Sequence, residues 1–227
     1  MTEWWTYGLS DFLMFSGRTW YRLLELHNRA WWPLQPFLMA AGIGLLWSLR
    51  SDLRSMLRLG LVLLGALQLF VAWAFHWERY ADINWGARYF ALAFAAQGLL
   101  LLALGLLRRD LLLAHGSAAA RAGAGMLFTA VLLFPILVLA WQRPLTQSEW
   151  FGLHPDPTML AALGLLLCLR RDRSPRHTPM LRWLPLVLPM AWCAVSGATL
   201  WSLGAPGWFV MPAAGIAALM AAWRQPG

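Results

Sequence analysis

Lysine does not occur in the 227 residues, so all 18 basic side chains are arginine. That absence removes a class of chemistry. Without a side-chain amine there is no Schiff base, which excludes a retinal-binding seven-helix protein and any lysine nucleophile. Cysteine is nearly absent as well. Cys168 and Cys193 both lie inside apolar runs, where a thiol behaves as a small hydrophobe, and there is no disulfide framework or CxxC metal motif. Charge is scarce where it would be most expensive. The apolar runs hold almost no ionisable residue, whereas proton-coupled transporters place Asp, Glu or His within their spans. The first thirty residues have no apolar h-region, so no cleavable signal peptide is expected.

Apolar residues make up 60% of the chain, against about 45–50% in a soluble domain. They fall into seven blocks, near 31–49, 57–76, 86–107, 123–142, 157–170, 183–203 and 206–223. A helix needs about 20 residues to cross ~30 Å of hydrocarbon. The expected fold is therefore an all-α polytopic membrane bundle of about seven transmembrane helices over 31–227, preceded by an amphipathic interfacial segment over 1–30. The block at 157–170 gives only about 21 Å of helix at ~1.5 Å per residue. We count it as a short crossing helix with Arg170 and Arg171 snorkelling.

Arginine placement gives an orientation. Arg50, Arg54, Arg58, Arg108, Arg109, Arg121, Arg170, Arg171, Arg173, Arg176, Arg182 and Arg224, twelve in all, follow the odd-numbered blocks. The other six, Arg18, Arg22, Arg29, Arg79, Arg88 and Arg143, fall on the opposite side. By the positive-inside rule the N-terminus is outside and the C-terminus cytoplasmic, which suits a bacterial inner membrane. A basic balance also suits nucleic acid, but arginines at helix ends are explained by the membrane, so no nucleic-acid partner is expected. Many of the 16 Trp, among them Trp31, Trp32, Trp77, Trp85, Trp141, Trp201 and Trp208, stand at predicted outer helix ends, as in an aromatic belt.

Residues 18–31, RTWYRLLELHNRAW, carry Arg18, Arg22, Glu25 and Arg29 on one stripe and Trp20, Leu23, Leu24, His27 and Trp31 on the other. This pattern predicts an amphipathic helix at the outer interface, ended by Pro33. Ser10 and Asp11 are placed to cap an earlier short helix near Phe12–Phe15. In TQSEWFGLHPDPT, 146–158, Thr146 and Glu149 have capping-box spacing. Asp156 before Pro157 reads as an N-cap, and His154 before Pro155 as extended. Pro135, Pro189 and Pro212 interrupt apolar blocks, and Gly42/Gly44, Gly60/Gly65 and Gly123/Gly125 suggest close packing without a GxxxG.

Candidate ligand-binding residues follow. His27, His76 and His154 are predicted outside, with Glu25, Glu78, Asp82, Glu149 and Asp156 nearby. Imidazole and carboxylate are metal-ligand chemistry, so the three histidines are candidate metal ligands, although no tight metal motif is present. His76 and Glu78 are two residues apart at a helix end and face different ways. Gln68 and Gln97 sit near mid-depth in adjacent blocks, either as interhelical hydrogen bonds or as lining for a solute path.

Two stretches, YGLSDFLMFSGRTWYRLLELHNRAWWP at 7–33 and EWFGLHPDPTMLAALGLLL at 149–167, resemble a family of uncharacterised bacterial integral membrane proteins, a domain of unknown function. The family tends to have Pro where this chain has Gly17. The resemblance implies that the two outer segments form one unit, and it brings no catalytic residues, cofactor or substrate. The leading expectation is small-solute or metal-ion binding or transport, through an outer vestibule formed by the N-terminal helix, the 77–85 loop and the 144–156 loop. His27, His76, Glu78, Asp82, His154 and Asp156 would line it. Two rivals stay open: an accessory or assembly subunit of a larger respiratory or metal-handling membrane complex, and a membrane metalloenzyme. The expected surroundings are a lipid bilayer, with partner subunits or a homo-oligomer.

Overall fold

A computed structural model describes residues 15–51, 53–114, 116–171 and 180–224. The chain is built from helices: α1 (Gly17–Ala30), α2 (Leu34–Ser48), α3 (Arg54–Val71), α4 (Ala87–Leu107), α5 (Ala118–Phe128), α6 (Phe134–Ala140), α7 (Pro155–Leu167), α8 (Met180–Ser202) and α9 (Val210–Trp223). Single wider turns of π-helix extend α3 over Ala72–Trp77 and join α5 to α6 over Thr129–Leu133. The expected cap at Ser10 and Asp11 lies outside the described residues, as do the side chains of Arg170 and Arg171.

Each of the seven apolar blocks contains a helix, but they differ in length. Four are long and apolar enough to cross a membrane: Arg54–Asp82, Ala87–Leu107, Ala118–Ala140 and Trp183–Ser202. Helices α2, α7 and α9 are shorter, at 15, 13 and 14 residues. Among the described residues the length criterion is thus met by four helices, not seven. Turns take up residues counted as apolar in the sequence. Gly204, at φ 64°, lies in the non-helical stretch between α8 and α9, which delays α9 to Val210.

Among the described residues two short strands pair. β1 (Leu111–Leu113) pairs antiparallel with β2 (Leu169–Arg171), Leu111 opposite Arg171. Three leucines after a helix give no period by which to tell a strand from helix continuation.

α7 explains how the layers pack. All 13 of its residues are buried, and it touches α3, α5, α8 and α9. At ~1.5 Å per residue it is only about 20 Å long, yet it is the post around which the longer helices stand. Close approach to it requires glycine. A Cβ on Gly123 would run into the Gly164 carbonyl, and one on Gly164 into the Gly123 carbonyl. Gly65 and Gly98 bring α3 and α4 together in the same way. Of the sequence pairs, Gly42, Gly60, Gly65 and Gly123 are packed this tightly, whereas Gly44 and Gly125 face open space.

Candidate functional site

The site is built where α1 lies across the start of α7. Ser16 caps α1 through its hydroxyl, which accepts from Thr19 N–H. Trp20, Leu23, Leu24 and His27 are buried, as the stripe predicts, and Asn28 joins them. On the open face Glu25 pairs with Arg22 at 3.2 Å and Arg29 at 2.6 Å. Asn28 fastens the helix down. Its Nδ2 donates to the Thr146 carbonyl at 2.9 Å and the Ser148 carbonyl at 2.8 Å. Gln35 Nε2 in turn donates to the Asn28 carbonyl at 2.8 Å. Ser148 Oγ donates to the Pro135 carbonyl at 2.6 Å, tying the loop to α6.

The segment WFGLHPDPT folds into a compact knot. Gly152 adopts φ 75°, a left-handed conformation that glycine takes without steric cost. Its N–H donates to Thr158 Oγ1 at 2.8 Å, and that hydroxyl donates to the His154 carbonyl at 2.6 Å. His154 is extended, as a residue before proline should be, and it is the N-cap of α7. Asp156 is therefore not the cap. It stands inside the first turn, and its two oxygens accept from Trp192 Nε1 at 2.8 Å and Ser196 Oγ at 2.6 Å on α8. Nor do Thr146 and Glu149 form a capping box. Only a single 3-10 turn, Leu145–Gln147, exists there, with no side-chain cap.

The predicted histidines divide into a pair and an outlier. His27 and His154 rings lie 5.3 Å apart, centroid to centroid, and both touch Phe75. His76 lies beyond Phe75 against Phe94 at 4.5 Å and Trp192 at 5.2 Å. All three are fully buried. Hydrogen bonding sets the tautomers of the pair. His27 Nε2–H donates to the Leu153 carbonyl at 3.3 Å, leaving Nδ1 bare. His154 Nδ1 accepts from Trp150 N–H at 3.0 Å, so the neutral ring carries its proton on Nε2. A metal-bound histidine turns its second nitrogen as a donor to an acceptor. His27 fits that pattern and His154 does not. Among the described residues no three His, Cys, Asp or Glu side chains gather as a metal ion requires.

Burial keeps both rings neutral. It lowers His27 to about 4, with the Leu153 bond opposing and Arg79 assisting. Burial also puts His154 well below its ordinary value, reinforced by His27. Glu78 and Asp82 are exposed and take no part in this cluster. Gln68 and Gln97 are buried but do not bond each other. Gln68 Nε2 donates to Met159 Sδ at 3.3 Å and Gln97 Nε2 to the Pro185 carbonyl at 3.0 Å, two separate interhelical ties.

A cavity of about 40 Å³ opens beside Asp156. Trp20, Tyr21, Phe134, Trp141 and Met211 form much of its wall, and Glu149 and Asp156 supply the carboxylates. One water needs about 10–15 Å³ of such space, so the cavity takes a group of a few heavy atoms. Burial holds the Glu149 carboxyl well above its usual range, and the Asp156 charge raises it further. Glu149 was read from sequence only as a capping residue and as one outer carboxylate among several. Trp192 and Ser196, which hold Asp156, lie 36 and 40 residues away, beyond any local motif.

Comparison with known proteins adds the family. The pattern of DUF6064, a family of unknown function, matches residues 18–226. The chain belongs to DUF6064. No curated protein and no solved structure matches it.

Proposed function

We propose that this DUF6064 chain is a seven-span membrane protein that binds, and moves or presents, a small polar solute at the outer end of its bundle. The observation that carries this reading is the cavity under α1. Its lining is mostly apolar and includes two carboxylate residues, Glu149 and Asp156, which is the character of a small-ligand site. The short helices α2, α7 and α9 complete the seven spans. α7 is screened by its neighbours and need not match the bilayer by itself, and flanking arginines bridge the remaining distance. The twelve-to-six arginine bias sets the N-terminus outside and the C-terminus in the cytoplasm of a bacterial inner membrane. Asp156 and Glu149 face the solute. His27 and His154 back the knot that positions them.

Native mass spectrometry on the full chain, extracted gently from its membrane, tests this reading. A small bound mass that disappears in Glu149→Gln supports it. A protein with no bound mass that travels only within a larger defined assembly contradicts it and favours the accessory-subunit reading.

A further inference from the structure

Resting on that reading, we propose that the solute is a small zwitterion, with a primary ammonium group held in the carboxylate cavity and an anionic group held on the arginine groove beside it.

Two adjoining recesses of opposite character carry the argument. The inner one is the cavity with Glu149 and Asp156. The outer one is an open groove lined by Arg18, Tyr21, Arg22, Glu25, Arg143 and Gln147. They share Tyr21 and Gln147, so they adjoin. Tyr21 registers both sides: burial raises its hydroxyl, Arg143 pulls it down and Glu149 pushes it up. Carboxyl groups thus belong to the inner recess and guanidinium groups to the outer one.

Asp156 receives two neutral donors, Trp192 and Ser196, and no cation. Among the described residues Glu149 has no hydrogen bond or ion pair. Burial and the neighbouring Asp156 charge keep the proton on Glu149 unless a cation arrives. An ammonium ion would supply that charge, and the faces of Trp20, Trp141 and Phe134 on the same wall suit a cation. The space of about 40 Å³ admits an aminomethyl end. In the groove, Glu25 is engaged by Arg22 and Arg29. Arg143 lies 3.4 Å over the Tyr21 ring with Nη1 on Gln147 Oε1 at 3.3 Å. Among the described residues neither Arg18 nor Arg143 has an acidic partner, so two guanidinium groups remain for a phosphate or carboxylate. Trp20 Nε1, buried at the cavity wall, has no acceptor either. Both a phosphoethanolamine lipid headgroup and a free small amino acid or amino phosphate have this chemistry.

Isothermal titration calorimetry on the full chain in maltoside micelles, with O-phosphoethanolamine as probe, tests the proposal. Saturable binding at one site is expected, at least about tenfold tighter than ethanolamine or inorganic phosphate alone. Glu149→Gln and Arg143→Gln should each weaken it at least about tenfold. Glu149 makes no hydrogen bond among the described residues, so its variant keeps the fold, and a matching thermal midpoint checks this. Equal binding of phosphate and phosphoethanolamine, or binding that ignores Glu149→Gln, overturns the zwitterion. So does no binding of the probe. In any of these cases a Glu149-dependent mass in the native spectrum still upholds the broader reading. A second titration into vesicles with and without phosphatidylethanolamine separates the sources. Competition by the lipid assigns the headgroup, and competition by free glycine without any lipid effect assigns the soluble zwitterion.

Discussion

The helix-to-helix contacts and the end of the bundle that carries α1 are held by opposite means. In the middle, glycine pairs Gly123–Gly164 and Gly65–Gly98 let backbones touch, the small-residue packing that membrane helices favour. At the end that carries α1, hydrogen bonds of Asn28, Ser148 and Asp156 do the fastening, and buried polar atoms are left over. Of the described buried side-chain atoms without a partner, Trp20 Nε1, His27 Nδ1, Gln35 Oε1, both His76 nitrogens and His154 Nε2 lie in the outer region, against only Gln68 Oε1 and Gln97 Oε1 in the middle. Each such atom costs about 1–3 kcal/mol. Of these residues only Trp20 also lines the cavity.

The sharpest way to break this contrast is to disturb the middle. Gly164→Val places a side chain against the Gly123 carbonyl and the backbone of Leu127. Overpacking costs about 1–3 kcal/mol and sometimes more, and here the obstacle is backbone. A loss of at least about 3 kcal/mol is expected, read as a collapse of the thermal midpoint in detergent. An unchanged midpoint would remove α7 from its central role.

At the outer end, Asp156→Ala strands the donors of Trp192 and Ser196. The expected loss is about 3 kcal/mol, whereas simple capping predicts nearer 1. Denaturant titration distinguishes the two values.

The third prediction concerns pH. His27 is held down to about 4 from 6.5 when folded. The unfolded chain therefore binds the proton first, so this stability is complete above about pH 6.5 and fades as pH falls toward 4. Compared with His27→Gln, which keeps a donor for the Leu153 carbonyl, the wild type should lose about 2 kcal/mol between pH 6.5 and 4.5. Parallel pH profiles of the two proteins would contradict it. Glu149, raised when folded, acts in the opposite sense in both proteins and cancels in the difference.

The smallest effect belongs to the surface. Arg143→Ala removes the stacking on Tyr21 and should cost only about 0.5–1 kcal/mol of stability. A much larger loss would make Arg143 a structural tie of the outer end and not part of a ligand groove.

The sequence was legible where one element decides a residue's fate. The i, i+3, i+4 and i+7 positions of Trp20, Leu23, Leu24 and His27 predict the buried face of α1, and all four are buried. His154 before Pro155 is extended, as the proline requires. Reading failed where a residue's partner lies far along the chain. Asp156–Pro157 satisfies a local capping rule, yet the carboxylate went to Trp192 and Ser196 on α8 while His154 took the cap. Thr146 and Glu149 have the right spacing for a capping box, but Pro144 and the Asn28 bonds hold that stretch to a single 3-10 turn. The convergence of His27 with His154 needed α1 to fold across a loop more than a hundred residues later, and no periodicity carries that distance. Span lengths were blurred for a simpler reason: hydropathy counts the apolar residues of turns along with those of helices.

The central claim is that the carboxylate cavity opens to the outside of the membrane. Thr146 has an exposed side chain on the loop beside it, and the native Cys168 and Cys193 are buried. Labelling Thr146→Cys with a membrane-impermeant maleimide in intact cells is the direct measurement. The account predicts full labelling before lysis, and labelling only after the cells are broken would contradict it.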